Sequence, residues 1–182
     1  IMKECLWYYV NNGSSIYCTL FDATKAFDRV QYSKLFRQLI SRNLPPVIVR
    51  ILLNFYVGHA TRVEWNGIMS KSFLVQNGVK QGGIVSPVLF CVYIDGLIQL
   101  LSKNGVGCTM GDAFCGILVY ADDIVLLAPS ANAMRCMLRS CDEYATNFNI
   151  VFNASKSKCL YVQGRHRLDC MGYPCPVFKV NG

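Results

Sequence analysis

Gly116-Ile117-Leu118-Val119-Tyr120-Ala121-Asp122-Asp123-Ile124-Val125-Leu126-Leu127-Ala128 sets a polar Tyr-Ala-Asp-Asp between two short apolar runs. That pattern predicts a β-hairpin with two carboxylates lifted to its tip. Adjacent carboxylates repel each other, so a chain that presents them together usually offers them to a divalent cation. A third carboxylate, Asp22, follows another strand-like run, Ile16-Tyr17-Cys18-Thr19-Leu20-Phe21. Asp22 lies far upstream of Asp122, yet two neighbouring strands would bring their side chains together. Carboxylates gathered this way are the layout of a two-metal phosphoryl-transfer site. An isolated Asp-Asp pair is more often a solvated turn, and the weight here comes from further motifs that follow in order.

The chain of 182 residues has the size of one domain and is long enough to bury a core. Its hydrophobic content of 53% against 16% charged residues is high for a free-standing domain. The excess implies exposed faces that belong against further parts, and the abrupt ends lead us to expect an excerpt, truncated on both sides, from a longer polypeptide. Residues 85–101 are the longest apolar stretch, but Pro87, Asp95 and Gly96 interrupt it and it falls short of a membrane span. No membrane partner is expected. Residues 5–10 are too short to serve as a signal peptide.

A net charge of +7 favours a polyanionic partner. Lys156, Lys158, Arg165, His166 and Arg167 gather near the end, while Arg29, Lys34, Arg37, Arg42 and Arg50 follow the early helices. The ten Cys include no Cys-x2-Cys, and Cys136/Cys141 and Cys170/Cys175 each have four residues between them. Such spacing argues against a zinc knuckle. Cys91, Cys108, Cys115, Cys136 and Cys141 sit among apolar neighbours and read as small hydrophobes in a reduced, intracellular protein.

Leu35, Phe36, Leu39 and Ile40 recur at helical spacing over residues 32–42. Pro45-Pro46 opens a second helix through Val49, Leu52, Leu53 and Tyr56, closed by Gly58. Residues 61–65 alternate as a strand, Asn66-Gly67 is a hairpin turn, and residues 72–76 are expected to return as its partner. Asn77-Gly78-Val79-Lys80-Gln81-Gly82-Gly83 is a glycine-rich loop whose small residues allow close approach to a ligand. Ser86-Pro87 then supplies an N-cap and first-turn proline for a helix to about Leu101. Residues 130–147 form an amphipathic helix with Met134, Leu138, Cys141, Ala145 and Phe148 on one stripe. Residues 150–152 and 159–162 are strand candidates, and residues 165–176 are the least structured stretch. This succession of strands and helices indicates an α+β fold, an antiparallel sheet backed by helices.

Leu20-Phe21-Asp22-Ala23-Thr24-Lys25-Ala26-Phe27-Asp28, then Gly78-Val79-Lys80-Gln81-Gly82-Gly83-Ile84-Val85-Ser86-Pro87, then Tyr120-Ala121-Asp122-Asp123 resemble motifs A, B and C of reverse transcriptases. The wording is most similar to the non-LTR (LINE-type) retrotransposon subgroup, and the resemblance runs over nearly the whole chain. It implies the palm of a right-hand polymerase with part of the fingers over residues 1–182, without upstream fingers motifs, primer grip or thumb. It implies RNA-directed DNA polymerisation, with deoxynucleoside triphosphates as substrates and an RNA template and DNA primer as partners, in the cytoplasm and nucleus. Asp22 and Asp122 would ligate two Mg²⁺ ions (or Mn²⁺), with Asp123 a third, weaker candidate and the Ala23 carbonyl a further one. Phe27 matches the steric gate against a ribose 2′-hydroxyl, or else is an ordinary core ring. Gln81 and Gly82 match the lining of the nucleotide pocket, and Tyr120 the neighbourhood of the primer terminus. Residues 153–158 resemble motif D, where Lys156, or its rival Lys158, would protonate the departing pyrophosphate. Asp28 is taken as structural.

Ala121 and Phe27 argue against an RNA-dependent RNA polymerase, which usually carries Gly-Asp-Asp and a smaller or polar gate. Group II intron reverse transcriptases and telomerase share the palm. Lys25-Ala26-Phe27-Asp28 and Gly82-Gly83 favour the LINE-type reading, and the intron class stays open. The alternative from another class is an inactive or binding-only palm of a decayed element, against which Asp22 and Asp122 both stand intact.

Overall fold

The computed structural model describes residues 1–165 and Phe178. His166, Arg167, Cys170, Cys175, the breakers Gly172, Pro174 and Pro176, and Val180-Asn181-Gly182 lie outside the described residues. In chain order the helices are α1 (Met2–Asn11), α2 (Tyr32–Ser41), α3 (Pro46–Tyr56), α4 (Ser86–Asn104) and α5 (Ala131–Phe148). The strands are β1 (Ile16–Asp22), β2 (Ala60–Thr61), β3 (Glu64–Trp65), β4 (Ile68–Met69), β5 (Phe73–Leu74), β6 (Thr109–Met110), β7 (Ala113–Phe114), β8 (Ile117–Tyr120), β9 (Asp123–Ala128) and β10 (Lys158–Val162). Two compact units result, one made of Ile1–Thr24 with the residues from Asp95 onward, the other of Lys25–Ile94.

The first unit is built on a four-stranded antiparallel sheet in the order β10-β1-β9-β8. Side chains alternate between its faces. Thr19 and Phe21 point to the side of α5, where the Thr19 hydroxyl meets the Met134 sulfur at 3.3 Å and the Phe21 ring stacks on Phe152 with centroids 4.3 Å apart. α5 buries Met134, Leu138, Cys141 and Ala145 of the expected stripe and adds Met137 and Tyr144, while Phe148, expected on the stripe, is only half-buried and stacks on Tyr144. The Ser130 hydroxyl caps it by accepting from the Ala133 N–H at 3.1 Å, and Asn149 closes it in the left-handed conformation at φ 54°.

The opposite sheet face is covered at one end only. There Ile16, Cys18 and Leu127 pack with Cys5 of α1 and with Cys108 and Cys115, all at most 5% exposed. Burial, reinforced by neighbouring thiols, pushes the Cys18 thiol up to about 11 and the Cys108 thiol up to about 12. The Tyr9 hydroxyl ties α1 to β6 by donating to the Thr109 carbonyl at 3.2 Å and accepting from the Thr109 N–H at 3.0 Å. Neither α1 nor the small β6–β7 hairpin is legible as an element in the sequence.

Ile150-Val151-Phe152 is not a strand. Only Phe152 bridges, to Ala23, with the Thr24 N–H donating to the Val151 carbonyl at 2.8 Å. The partner chain leaves after Thr24, where Lys25 takes a left-handed φ of 51°, so no edge remains to extend the ladder.

In the second unit the Asn66-Gly67 turn is as expected, but its return strand is β4, paired with β3 as Glu64↔Met69 and Trp65↔Ile68. A two-residue turn forces its immediate neighbours to pair. The Ser70 hydroxyl then accepts from the Val63 N–H at 2.9 Å and interrupts the ladder, which resumes as β2–β5. α3 begins with Pro46 at its first position, yet of its apolar residues only Tyr56 is buried. Ile51, Phe55, Trp65, Ile68 and Ile84 are likewise exposed, as is Ile40 of α2.

Ser86 is the first residue of α4 and not a forward cap; its buried hydroxyl turns back to the Lys80 carbonyl. α4 runs on to Asn104, and its 19 residues are long and apolar enough to cross a membrane by length and composition. Leu89, Phe90, Tyr93, Ile94, Leu97 and Leu101 are at most 2% exposed, which makes it a core helix. The eight described cysteines are free thiols, and Cys91 is exposed, contrary to the apolar setting read for it.

Candidate active site

β8 and β9 form the expected hairpin, with Tyr120 paired to Asp123 and only Ala121 and Asp122 in the loop. Ala121 holds a left-handed φ of 52°. For a residue with a Cβ that conformation costs about 1–2 kcal/mol. The β1–β9 register then sets Asp22 directly opposite Asp123. Directly opposed residues share a sheet face, so these two carboxylates lie on the side that α1 covers further along. At their end, among the described residues, nothing covers it: Leu20 is 37% exposed and Asp123 and Asp122 are exposed. Tyr120, expected near a primer terminus, is 84% exposed at the hairpin tip.

The turn after Phe152 is fastened to Asp22 through the backbone. The Asn153 N–H donates to the Asp22 carbonyl at 2.8 Å, and the Asp22 N–H donates to the Ser157 hydroxyl at 3.3 Å. Within the turn the Asn153 side-chain oxygen accepts from the Ser155 hydroxyl at 2.7 Å and the Lys156 N–H at 3.3 Å. That Asx-type turn aims Lys156 back at the sheet, with Nζ 4.0 Å from Asp22 Oδ2. With the two side chains 68% and 45% exposed, such a pair adds little stability. Its information is positional. Lys158, the rival, lies within β10 opposite Leu20 and is exposed. Ala23 is buried at the bridge to Phe152.

Among the described residues, no three His, Cys, Asp or Glu side chains converge into a group able to hold a metal by themselves. What the sheet offers is Asp22 opposite Asp123, with Asp122 adjacent in the turn. All are hard oxygen donors, and so few protein ligands suit Mg²⁺, which keeps waters and takes substrate phosphate oxygens. The donor set fits a divalent ion bound together with its substrate.

The second unit carries the other expected residues. Phe27 opens a 3-10 turn, Phe27–Arg29, and its half-buried ring lies 5.1 Å from that of the fully buried Phe90. The ring therefore packs in part against the core of this unit. Gln81 is exposed and its Nε2 donates to Asp28 Oδ1 at 3.1 Å. Gly82 has φ 79° with open space where a Cβ would stand. A pocket of about 530 Å³ within this unit is lined by Asp28, Tyr32, Tyr56, His59, Asn77 and Gln81 among others. Sequence reasoning missed Asn153 and Ser157 as the holders of Asp22, although Asn-Ala-Ser-Lys carries an Asx-turn signal. It also passed over Asp28 as a partner of Gln81, for which no local signal exists.

The family model described as reverse transcriptase (RNA-dependent DNA polymerase) matches residues 3–175. The chain is 28% identical over 156 residues to the retrovirus-related Pol polyprotein from type-2 retrotransposable element R2DM of Drosophila melanogaster, covering 86% of this chain and 15% of that protein. It is 32% identical over 123 residues to the R2 polyprotein of Nasonia vitripennis (68% and 12% covered). It is 28% identical over 168 residues to the RNA-directed DNA polymerase from mobile element jockey of Drosophila funebris (88% and 17%). The chain thus spans under a fifth of the length of these relatives, which belong to the non-LTR group that its motifs resemble. Telomerase from Candida tropicalis in complex with a fragment of telomeric RNA superposes with a TM-score of 0.67 at 11% identity, covering 88% of this chain and 28% of that one. Apo telomerase from the same organism, truncated from its C-terminal domain, gives 0.63 at 13% (91% and 34%). At such identities the likeness speaks of fold, and that fold is the polymerase palm and fingers. The chain belongs to the reverse transcriptase (RNA-dependent DNA polymerase) family.

Proposed function

We propose that this chain is the polymerising core of a non-LTR retrotransposon reverse transcriptase, extending a DNA primer on an RNA template with deoxynucleoside triphosphates. The observation that carries the reading is the placement of Asp22 opposite Asp123, with Asp122 beside them, at the uncovered end of an otherwise packed sheet. Two Mg²⁺ ions (or Mn²⁺) bound there supply activation of the primer 3′-hydroxyl and charge neutralisation at the leaving pyrophosphate. Asp22, Asp122 and Asp123 would hold the ions, with the Ala23 carbonyl as a further oxygen. The position of Lys156, with Nζ 4.0 Å from Asp22 Oδ2, supports a role for its ammonium in giving a proton to the leaving group or neutralising its charge. Tyr120 packs by the primer end, Phe27 closes the space a 2′-hydroxyl would need, and Gln81 and Gly82 line the nucleotide's surroundings. The protein works inside the cell, in cytoplasm and nucleus.

The test is primer extension on RNA with deoxynucleotides and Mg²⁺ by the full protein that carries this chain, with Asp122→Ala run beside it. Extension that the variant loses, while primer–template binding persists, is the expected result, because cationic side chains rather than carboxylates dominate that affinity. A folded protein that binds primer–template and never extends it overturns the proposal.

A further inference from the structure

The second unit clamps its 3-10 turn to the glycine-rich loop more tightly than either segment's sequence requires. The Val79 N–H donates to the Phe27 carbonyl at 2.9 Å and the Gly78 N–H to the Val30 carbonyl at 2.8 Å, while Gln31 bridges Asn77. The backbones touch at Gly78: a Cβ there would meet the Asp28 Cα and carbonyl oxygen at 3.0 Å, and φ is 92°. Only glycine fits. On this braced pair the Asp28 carboxylate accepts from Gln81 Nε2 at 3.1 Å, and both side chains border the same pocket. A carboxylate only accepts, whereas a glutamine amide has one donating and one accepting end. Asp28 therefore decides which end of Gln81 faces it, and leaves Oε1 as the atom presented elsewhere.

We propose that Asp28 is a positioning residue: it fixes the flip of the Gln81 amide so that the carbonyl oxygen, rather than the NH₂, is offered to the incoming nucleotide. This rests on the reading of Gln81 as a nucleotide contact. It gives Asp28 a part in substrate recognition in place of a purely structural one. An asparagine at 28 would accept or donate with equal ease and release the constraint.

The experiment measures single-nucleotide extension kinetics on an RNA template for wild type, Asp28→Asn, Asp28→Glu, Gln81→Ala and the Asp28→Asn/Gln81→Ala double variant. Alongside it, the ¹⁵N–¹H₂ signal of the Gln81 side chain is followed by NMR. Charge-assisted hydrogen bonds that are partly open to solvent lead us to expect a nucleotide KM raised about five- to ten-fold in Asp28→Asn, with kcat within about two-fold. Gln81→Ala should match it, the double variant should be no worse than Gln81→Ala, and Asp28→Glu should recover part of the loss. Melting within about 2 °C of wild type excludes unfolding as the cause. Additive effects in the double variant, or an unchanged KM in Asp28→Asn, overturn the proposal. So does an unchanged KM in Gln81→Ala. If wild type does not extend at all, the polymerase reading fails, and the Gln81 signal still decides the pairing. A signal moved by Asp28→Asn and retained by Asp28→Glu supports the positioning, and an unmoved one overturns it.

Discussion

One face of the four-stranded sheet has two ends with opposite chemistry. At the Ile16–Cys18 end, α1 and the strands β6 and β7 seal it, and the side chains there are thiols and aliphatic groups at most 5% exposed. At the Leu20–Asp22 end it is open, and the groups there are Asp22, Asp122, Asp123 and, from the turn after Phe152, Lys156. The opposite face packs on α5. Unpaired charge is expensive inside and cheap outside, so burial and reactivity are divided along a single strand instead of competing at one spot. β1 spends its first residues on the core and its last on the site.

Substitutions at the two ends should therefore separate activity from stability. The largest effect belongs to the open end. Asp22→Ala should lower primer extension by about three orders of magnitude, the scale of losing a key electrostatic group. Its urea unfolding should shift by no more than about 1 kcal/mol, since its ion pair is exposed. A large loss of stability in this variant would break the division. Next comes the sealed end. Leu127→Ala should cost about 3 kcal/mol by urea titration, because it empties space in a packed cluster. Extension per folded molecule, measured well below the unfolding midpoint, should stay near wild type. A wild-type midpoint would mean that the cluster is not packed as described.

A third effect is graded with pH and sharpens the same contrast. The folded values of Cys18 and Cys108, about 11 and about 12, lie above the ordinary thiol value of 9.0. The folded state thus holds these protons where the unfolded chain has released them. Their contribution is fully present below pH 9 and is lost as pH rises toward 11–12, at about 1.4 kcal/mol per pH unit for each thiol still protonated. Unfolding measured from pH 7 to pH 11 should show that decline, and Cys108→Ala should flatten it relative to wild type. Equal slopes would show that alkaline unfolding comes from other groups.

What could be read in the sequence was whatever local chemistry dictates. The Asp-Asp hairpin, the Pro46 start and the Asn66-Gly67 turn each carry their own signal, and each stands where expected. The rest depended on partners far away in the chain. Residues 150–152 have strand-like composition but found one bridging residue instead of a ladder. α1 is half aromatic and β-branched or cysteine, and its helicity comes from docking Cys5 and Tyr9 onto distant strands. In the site, the carboxylates were legible as types. The opposition of Asp22 to Asp123 was not, because register is a property of two strands. The same holds for Lys156, whose aim depends on bonds from Asn153 and Ser157 to the Asp22 backbone.

The hairpin loop of Ala121 and Asp122 has no slack. The spacing of the carboxylates is therefore inherited from main-chain ladders, which are blind to the side chains that ride on them. Strand interiors can exchange one aliphatic residue for another over long evolutionary times without detuning the acidic tip. A single inserted residue in the turn would throw it out of alignment at once. Such an architecture tolerates drift in spelling and forbids drift in length, which is how a chain only 11% identical to the Candida tropicalis telomerase can share its fold.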